Sequence, residues 1–221
     1  MIHVCYALRD ESGHYSKYPA TSMLSMFENT HEKITVHLLH DSTLTDELRK
    51  KFLGLVYKYD QEIKFYNVET FAPDLIEQAK NLYWNKFIPG RVAVMYRLMI
   101  PNILPSDITK VIYLDADTIV NLDINEMWQI DLGNHAIGTV TEHSSGLNNE
   151  RQARSWWQPY ADGTIKDWKN YFNSGVLILN LTDKYDNTGE GTIIRTMSRD
   201  FKKSSGVLVA GSRCAECFIQ R

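Results

Sequence analysis

The sequence predicts one α/β domain whose central sheet is mostly parallel and flanked by helices. Three observations carry this. Short apolar runs alternate with longer stretches of helical periodicity along the chain. Strands that alternate with helices form parallel sheets covered on both faces. At 221 residues the chain can bury one sizeable core, and it shows no internal repeat, low-complexity tract or linker that would divide it.

The elements follow in order. Strands are expected at 2–8 (IHVCYAL), 34–39 (ITVHLL), 62–68 (EIKFYNV), 111–114 (VIYL), 136–141 (AIGTVT) and 175–181 (GVLILNL). Between the first two, 19–30 places Met23, Met26 and Phe27 on one helical face. The stretch 41–59 opens on a Thr45 cap with two acids behind it. It then repeats Leu48, Phe52, Leu55 and Val56 at helical spacing. A third helix is expected over 73–83, with Pro73 in its first turn. A fourth is expected from about Val92, interrupted at Pro101. The segment 144–170 is polar, aromatic and irregular, as lids and acceptor surfaces often are.

Composition excludes several classes. The chain is 43% hydrophobic and 23% charged, the balance of a globular protein, and its formal net charge of −3 offers nucleic acid no basic field. No apolar run approaches the roughly 20 residues of a membrane span, and the N-terminal MIHVCYAL has no basic region or cleavage site. Of three cysteines, Cys5 sits in an apolar strand pattern as a small core residue. Cys214 and Cys217 (C-A-E-C) have the spacing of half a zinc site or a redox pair, without partners at matching spacing. So few cysteines fit a reducing cytoplasm. The expected location is cytoplasmic, or peripheral to the inner face of the membrane. Nothing in the sequence sets an oligomeric state.

The stretch KVIYLDADTIVNLD, 110–123, carries the chemistry. A buried strand, Val111 to Leu114, ends in two aspartates one residue apart, Asp115 and Asp117. Like charges so close repel, and a cation between them relieves the repulsion. Two carboxylates on a strand-end turn suit a hard divalent ion, Mn²⁺ or Mg²⁺, completed by waters and substrate phosphates. The carboxyl end of a strand is also where ligands of such sheets bind. The plain alternative is that both aspartates cap a turn. Two enzyme types use this local pattern. In an aspartyl-phosphate phosphatase the first aspartate is the nucleophile, and Thr118 completes that signature. In a nucleotide-sugar transferase both aspartates bind the metal that bridges a diphosphate. The phosphatase signature normally opens its domain, whereas at least three strands precede it here, and 175–181 carries no second acidic cluster.

Three further stretches accompany VIYLDADTIV: VCYALRDES (4–12), AVMYRLMIPNILP (93–105) and YFNSGVLILNL (171–181). In this order and at this spacing, the four together closely resemble glycosyltransferase family 8, across about residues 2–182. The family includes bacterial galactosyl- and glucosyltransferases and is related to glycogenin. The resemblance implies a GT-A fold over 1–221, a UDP-sugar donor, Mn²⁺, a saccharide or glycan acceptor and retention of configuration, in the setting of polysaccharide biosynthesis.

The resemblance also implies roles. Ala7, Leu8 and Asp10 lie in the loop that would cradle uracil and ribose. The family often has an acid early in this loop, where Leu8 and Arg9 stand here. Arg97 matches an arginine that reaches the donor diphosphate or sugar, a task suited to its planar fork. Asp115 and Asp117 match the metal ligands, and Ala116 the small residue beside the ribose. Asn173 matches an asparagine bonded to the donor sugar, followed by Ser174 and Gly175. Arg97, Asp117 and Asn173 are the catalytic candidates. Glu142 falls where the family often has an acid near the acceptor. Trp156 and Trp157 form either an acceptor platform or local core.

Two family features are absent: a D-Q-D-like segment past 182, and a later H-x-x-G-x-x-K-P-W-like stretch whose histidine completes the metal site. The expectation is a C-terminally truncated family domain. Partner-supplied groups, or a module that binds nucleotide sugar without turnover, are the alternatives.

Overall fold

The computed structural model describes residues 1–74, 76–77, 91–141 and 172–182, together with two strands at 207–210 and 219–220. Seven strands form the main sheet: β1 (Ile2–Leu8), β2 (Ile34–His40), β3 (Glu62–Asn67), β4 (Lys110–Leu114), β6 (Ile137–Thr141), β7 (Phe172–Asn180) and β8 (Val207–Ala210). Their order is β3-β2-β1-β4-β7-β6-β8. β5 (Ile119–Val120) pairs with β9 (Ile219–Gln220) in a separate antiparallel ribbon.

The pairings β3–β2, β2–β1, β1–β4 and β6–β8 are parallel, so the sheet is mostly parallel as expected. β7 is the exception. It runs antiparallel to both β4 and β6.

Side-chain alternation builds the core. In β1, Ile2, Val4, Tyr6 and Leu8 face the layer that holds Met23, Met26 and Phe27 of helix α1 (Lys17–Asn29). The same layer holds Phe52 and Val56 of helix α2 (Asp46–Lys58). Cys5 and Ala7 face the opposite layer, against Tyr96, Met99 and Ile100. A strand buried on both sides reads as a continuous apolar run, which is why these strands were legible. α2 begins as its sequence predicts, with the Thr45 side chain accepting from the Leu48 amide and two acids in the first turn.

The segment expected as an α-helix from Val92 is a 3₁₀ helix, Arg91–Met99, followed by a short α-helix, Ile100–Ile103. The helix type changes one residue before Pro101. In the first turn of the new helix, the missing amide of that proline costs nothing. Of the helix expected over 73–83, residues 73, 74, 76 and 77 are described and helical, and Ile76 is buried. β5, β8 and β9 and the short helices Val68–Phe71 and Ile124–Trp128 were not anticipated. Among the described residues, no helix is long and apolar enough to cross a membrane.

Candidate functional site

The order β2-β1-β4 puts a reversal of connectivity at β1. The chain leaves β1 for β2 on one side and returns to β4 on the other. Open α/β sheets bind ligands in the crevice at such a switch point, beyond the strand carboxyl ends. Two loops flank this crevice, the one after β1 and the one after β4.

After β4, Asp115 to Thr118 form a tight turn, closed by the Thr118 amide on the Asp115 carbonyl at 3.3 Å. Asp115 is half-buried and braced. Its Oδ1 accepts from Arg97 Nη2 at 2.9 Å and from the Tyr113 hydroxyl at 3.0 Å. Burial pushes the Tyr113 phenol well above its ordinary pKa, which keeps it a donor. Asp117 is exposed, and among the described residues none donates to its carboxylate. It borders a cavity of ≈ 260 Å³ lined by Lys17, Tyr18 and Thr21 of α1 and by residues 116–119. Ala116 is buried at the corner.

Arg97 is 8% exposed. Its Nε donates to the Val94 carbonyl at 2.9 Å, and Nη1 donates to the Ser174 carbonyl and lies 3.3 Å from Ser174 Oγ. Its guanidinium lies 4.8 Å from the centre of the Tyr113 ring. The Ser174 carbonyl is available because β7 is irregular here. The β6–β7 register jumps from Thr139↔Leu177 to Val140↔Asn173, an irregularity of the kind found beside functional sites. Opposite it, the Asp115 amide donates to the Gly175 carbonyl at 2.7 Å. β7 thus begins at Phe172, earlier than the sequence suggested, and Asn173 and Ser174 lie within it.

The loop after β1 is arranged differently. Ala7 and Leu8 are buried in the strand end. The Asp10 carboxylate accepts from the Tyr15 amide at 2.9 Å, the Ser16 amide at 2.8 Å, the Ser16 hydroxyl at 2.6 Å and the Ser12 hydroxyl at 3.3 Å. Burial alone would raise its pKa. The bonds from Ser16, Tyr15 and Ser12 outweigh that and bring it down to about 2. Asp10 therefore anchors the start of α1, and Arg9 and Glu11 present the loop's charged groups. Arg9 pairs with Glu11 and with buried Asp41, which also accepts from the Tyr96 hydroxyl at 2.9 Å. For Asp41 too, burial opposes ionisation, but the bonds from Thr43, Tyr96 and Arg9 leave the pKa lowered.

Tyr15 and Tyr18 are both partly exposed, with ring centres 5.2 Å apart. Burial raises the Tyr15 phenol pKa, and the charges of Asp117 and Asp115 raise it further. Tyr15 is therefore within electrostatic range of the carboxylate pair. Sequence reasoning did not single out Asp41, Tyr15 or Tyr18. The position of Asp41 just past a strand end was a usable signal for it. Glu142, Trp156, Trp157, Cys214 and Cys217 lie outside the described residues.

The donor set fits a hard cation: two carboxylates on one turn, one braced and one exposed. Among the described residues, no group of three or more His, Cys, Asp or Glu could hold a metal.

This architecture is the GT-A type of glycosyltransferases. The chain superimposes on the bifunctional glycosyltransferase WbbM with a TM-score of 0.72 at 15% identity, covering 95% of this chain and 38% of that one. It superimposes on the galactosyltransferase LgtC, solved with donor and acceptor sugar analogues, with a TM-score of 0.65 at 22% identity, covering 96% and 74%. In sequence it is 33% identical over 151 residues to the probable galacturonosyltransferase-like 3 of Arabidopsis thaliana, 68% of this chain and 42% of that protein. Residues 5–206 match glycosyl transferase family 8, and the chain belongs to that family. It spans about half the length of the curated relatives it matches. Family membership sets the phosphatase alternative aside.

Proposed function

We propose that this chain is the nucleotide-sugar-binding part of a retaining hexosyltransferase that uses a UDP-sugar and Mn²⁺ and acts on a saccharide or glycan acceptor. The observation that carries this reading is the exposed Asp117 carboxylate beside a braced Asp115, at the switch point of the sheet and facing a cavity. Asp115 and Asp117 would hold the cation, which when bound neutralises charge on the departing diphosphate.

The chain's own residues do the rest. Arg97 fixes Asp115 and ties it to the start of β7 through Ser174. It also keeps positive charge close to the leaving group, the role its family counterpart implies. Asn173 and Ser174, at the β7 irregularity, are the residues we assign to the donor sugar, by analogy with their family counterparts. Ala7, Leu8 and Asp10 shape the wall of the nucleotide crevice through the backbone. Glu142 remains the candidate acid on the acceptor side. The work of such an enzyme belongs to polysaccharide assembly in the cytoplasm, from solution or from the inner face of the membrane.

The test is UDP release from UDP-glucose, UDP-galactose and UDP-galacturonate with Mn²⁺ and a mixed oligosaccharide acceptor pool. Turnover that disappears with EDTA supports the reading, and turnover unaffected by metal removal contradicts it. A second reading, nucleotide-sugar binding without turnover, is favoured by one observation. The described residues bring only two carboxylates to the turn. Metal-dependent UDP binding with no hydrolysis or transfer of any UDP-sugar would select it.

A further inference from the structure

Thr118 directly follows the carboxylate pair, yet its hydroxyl is turned inward. The residue is 1% exposed and donates to the Asp115 carbonyl at 2.8 Å. Its amide reaches the same carbonyl, so one residue closes the turn twice. Behind it, Thr118 Oγ1 lies 3.0 Å from Ser22 Oγ, which lies 3.0 Å from the Tyr6 phenol oxygen. Ser22 and Tyr6 are fully buried.

The proton count fixes the direction of this chain. A carbonyl only accepts, and each hydroxyl has one proton to give. Thr118 gives its proton to Asp115, so it accepts from Ser22, and Ser22 in turn accepts from Tyr6. Burial raises the Tyr6 phenol pKa and outweighs the opposing effect of Ser22, so the head of the chain stays protonated.

Helix α1 continues the brace along β5. Ser25 Oγ accepts the Val120 amide at 3.0 Å, and Asn29 Nδ2 donates to the Val120 carbonyl at 2.9 Å. The two aspartates differ in what holds them. Asp115 is oriented through its own side chain by Arg97 and Tyr113. Among the described residues, no side chain donates to Asp117, so the turn's backbone alone aims its carboxylate.

We infer that the hydroxyl chain Tyr6–Ser22–Thr118 positions the Asp115–Asp117 turn for cation binding, with Thr118 as the positioning residue. The inference rests on the reading of Asp115 and Asp117 as cation ligands. Groups behind first ligands commonly set metal affinity in this way.

The test is a Mn²⁺ titration of the full chain in the presence of UDP, followed by the electron paramagnetic resonance of unbound Mn²⁺. Asp117→Asn should abolish binding. Thr118→Val, which keeps the shape and removes the hydroxyl, should weaken Mn²⁺ binding about 10-fold. Ser22→Ala should weaken it in the same direction. Thr118→Ser should stay within about twofold of the parent, because it keeps the donor. Asp117-dependent binding that is unchanged in both Thr118→Val and Ser22→Ala overturns the positioning role and leaves the cation reading standing. A loss in Thr118→Ser as large as in Thr118→Val also overturns it. Should Thr118→Val fail to fold, Ser22→Ala decides alone. Binding that ignores Asp117→Asn overturns the cation reading, and the positioning role with it.

Discussion

Three strand ends on the same edge of the sheet carry aspartates, and they use them in two opposite ways. After β1 and β2, Asp10 and Asp41 are buried, and their carboxylates are filled by hydroxyls and amides of their own loops and, for Asp41, also by Arg9 and the Tyr96 hydroxyl. After β4, Asp115 is braced from one side, and Asp117 faces a cavity. The residue type is the same, and so is the place in the fold. The hydrogen-bond complement separates them: a carboxylate saturated from within serves the fold, and one left to solvent beside a cavity can serve a ligand. Asp10 is the instructive case: the resemblance and its loop after the first strand put it by the nucleotide, and its carboxylate is held by its own loop.

The comparison can be broken by mutation. The largest effect should come from Arg97→Ala. It removes the guanidinium that pairs with Asp115 and holds the start of β7, so stability should fall by about 3 kcal/mol in urea unfolding. Asp10→Ala should come next, at about 2 kcal/mol, because it leaves the Tyr15 and Ser16 amides ahead of α1 without their acceptor. A loss near zero would show that Asp10 does not serve the fold.

The acid limb of stability sharpens the same point. The folded pKa of Asp10, about 2, is below its ordinary 3.8. A depressed carboxylate contributes its full stabilisation above the unfolded pKa and loses it as pH falls through the folded one. Urea midpoints should therefore drop between about pH 4 and pH 2, and Asp10→Asn should flatten that drop. The smallest effect on stability should come from Asp117→Asn. An exposed carboxylate without protein donors should change unfolding by less than about 0.5 kcal/mol.

Much of this was legible in the sequence. Strands buried on both faces announce themselves as apolar runs, and KVIYLDADT placed Asp115 and Asp117 at a strand end. The neighbours of Arg97 are nearly all apolar, and the residue is indeed buried. What stayed hidden depends on contacts between distant residues. The antiparallel course of β7 follows from its partners, since GVLILNL reads the same in either direction. β5 has two residues, too few to show a period. The saturation of Asp10 depends on Ser12, Tyr15 and Ser16 folding back onto it, and the brace on Thr118 comes from a serine 96 positions earlier.

The central claim is that Asp117, unlike Asp10 and Asp41, belongs to a cation and its diphosphate. Calorimetry of UDP binding with and without Mn²⁺, on the parent chain and on Asp117→Asn, tests it most directly. UDP binding should require Mn²⁺ and be lost in Asp117→Asn while the urea midpoint stays put. Binding that is indifferent to Mn²⁺, or unchanged by Asp117→Asn, would contradict it.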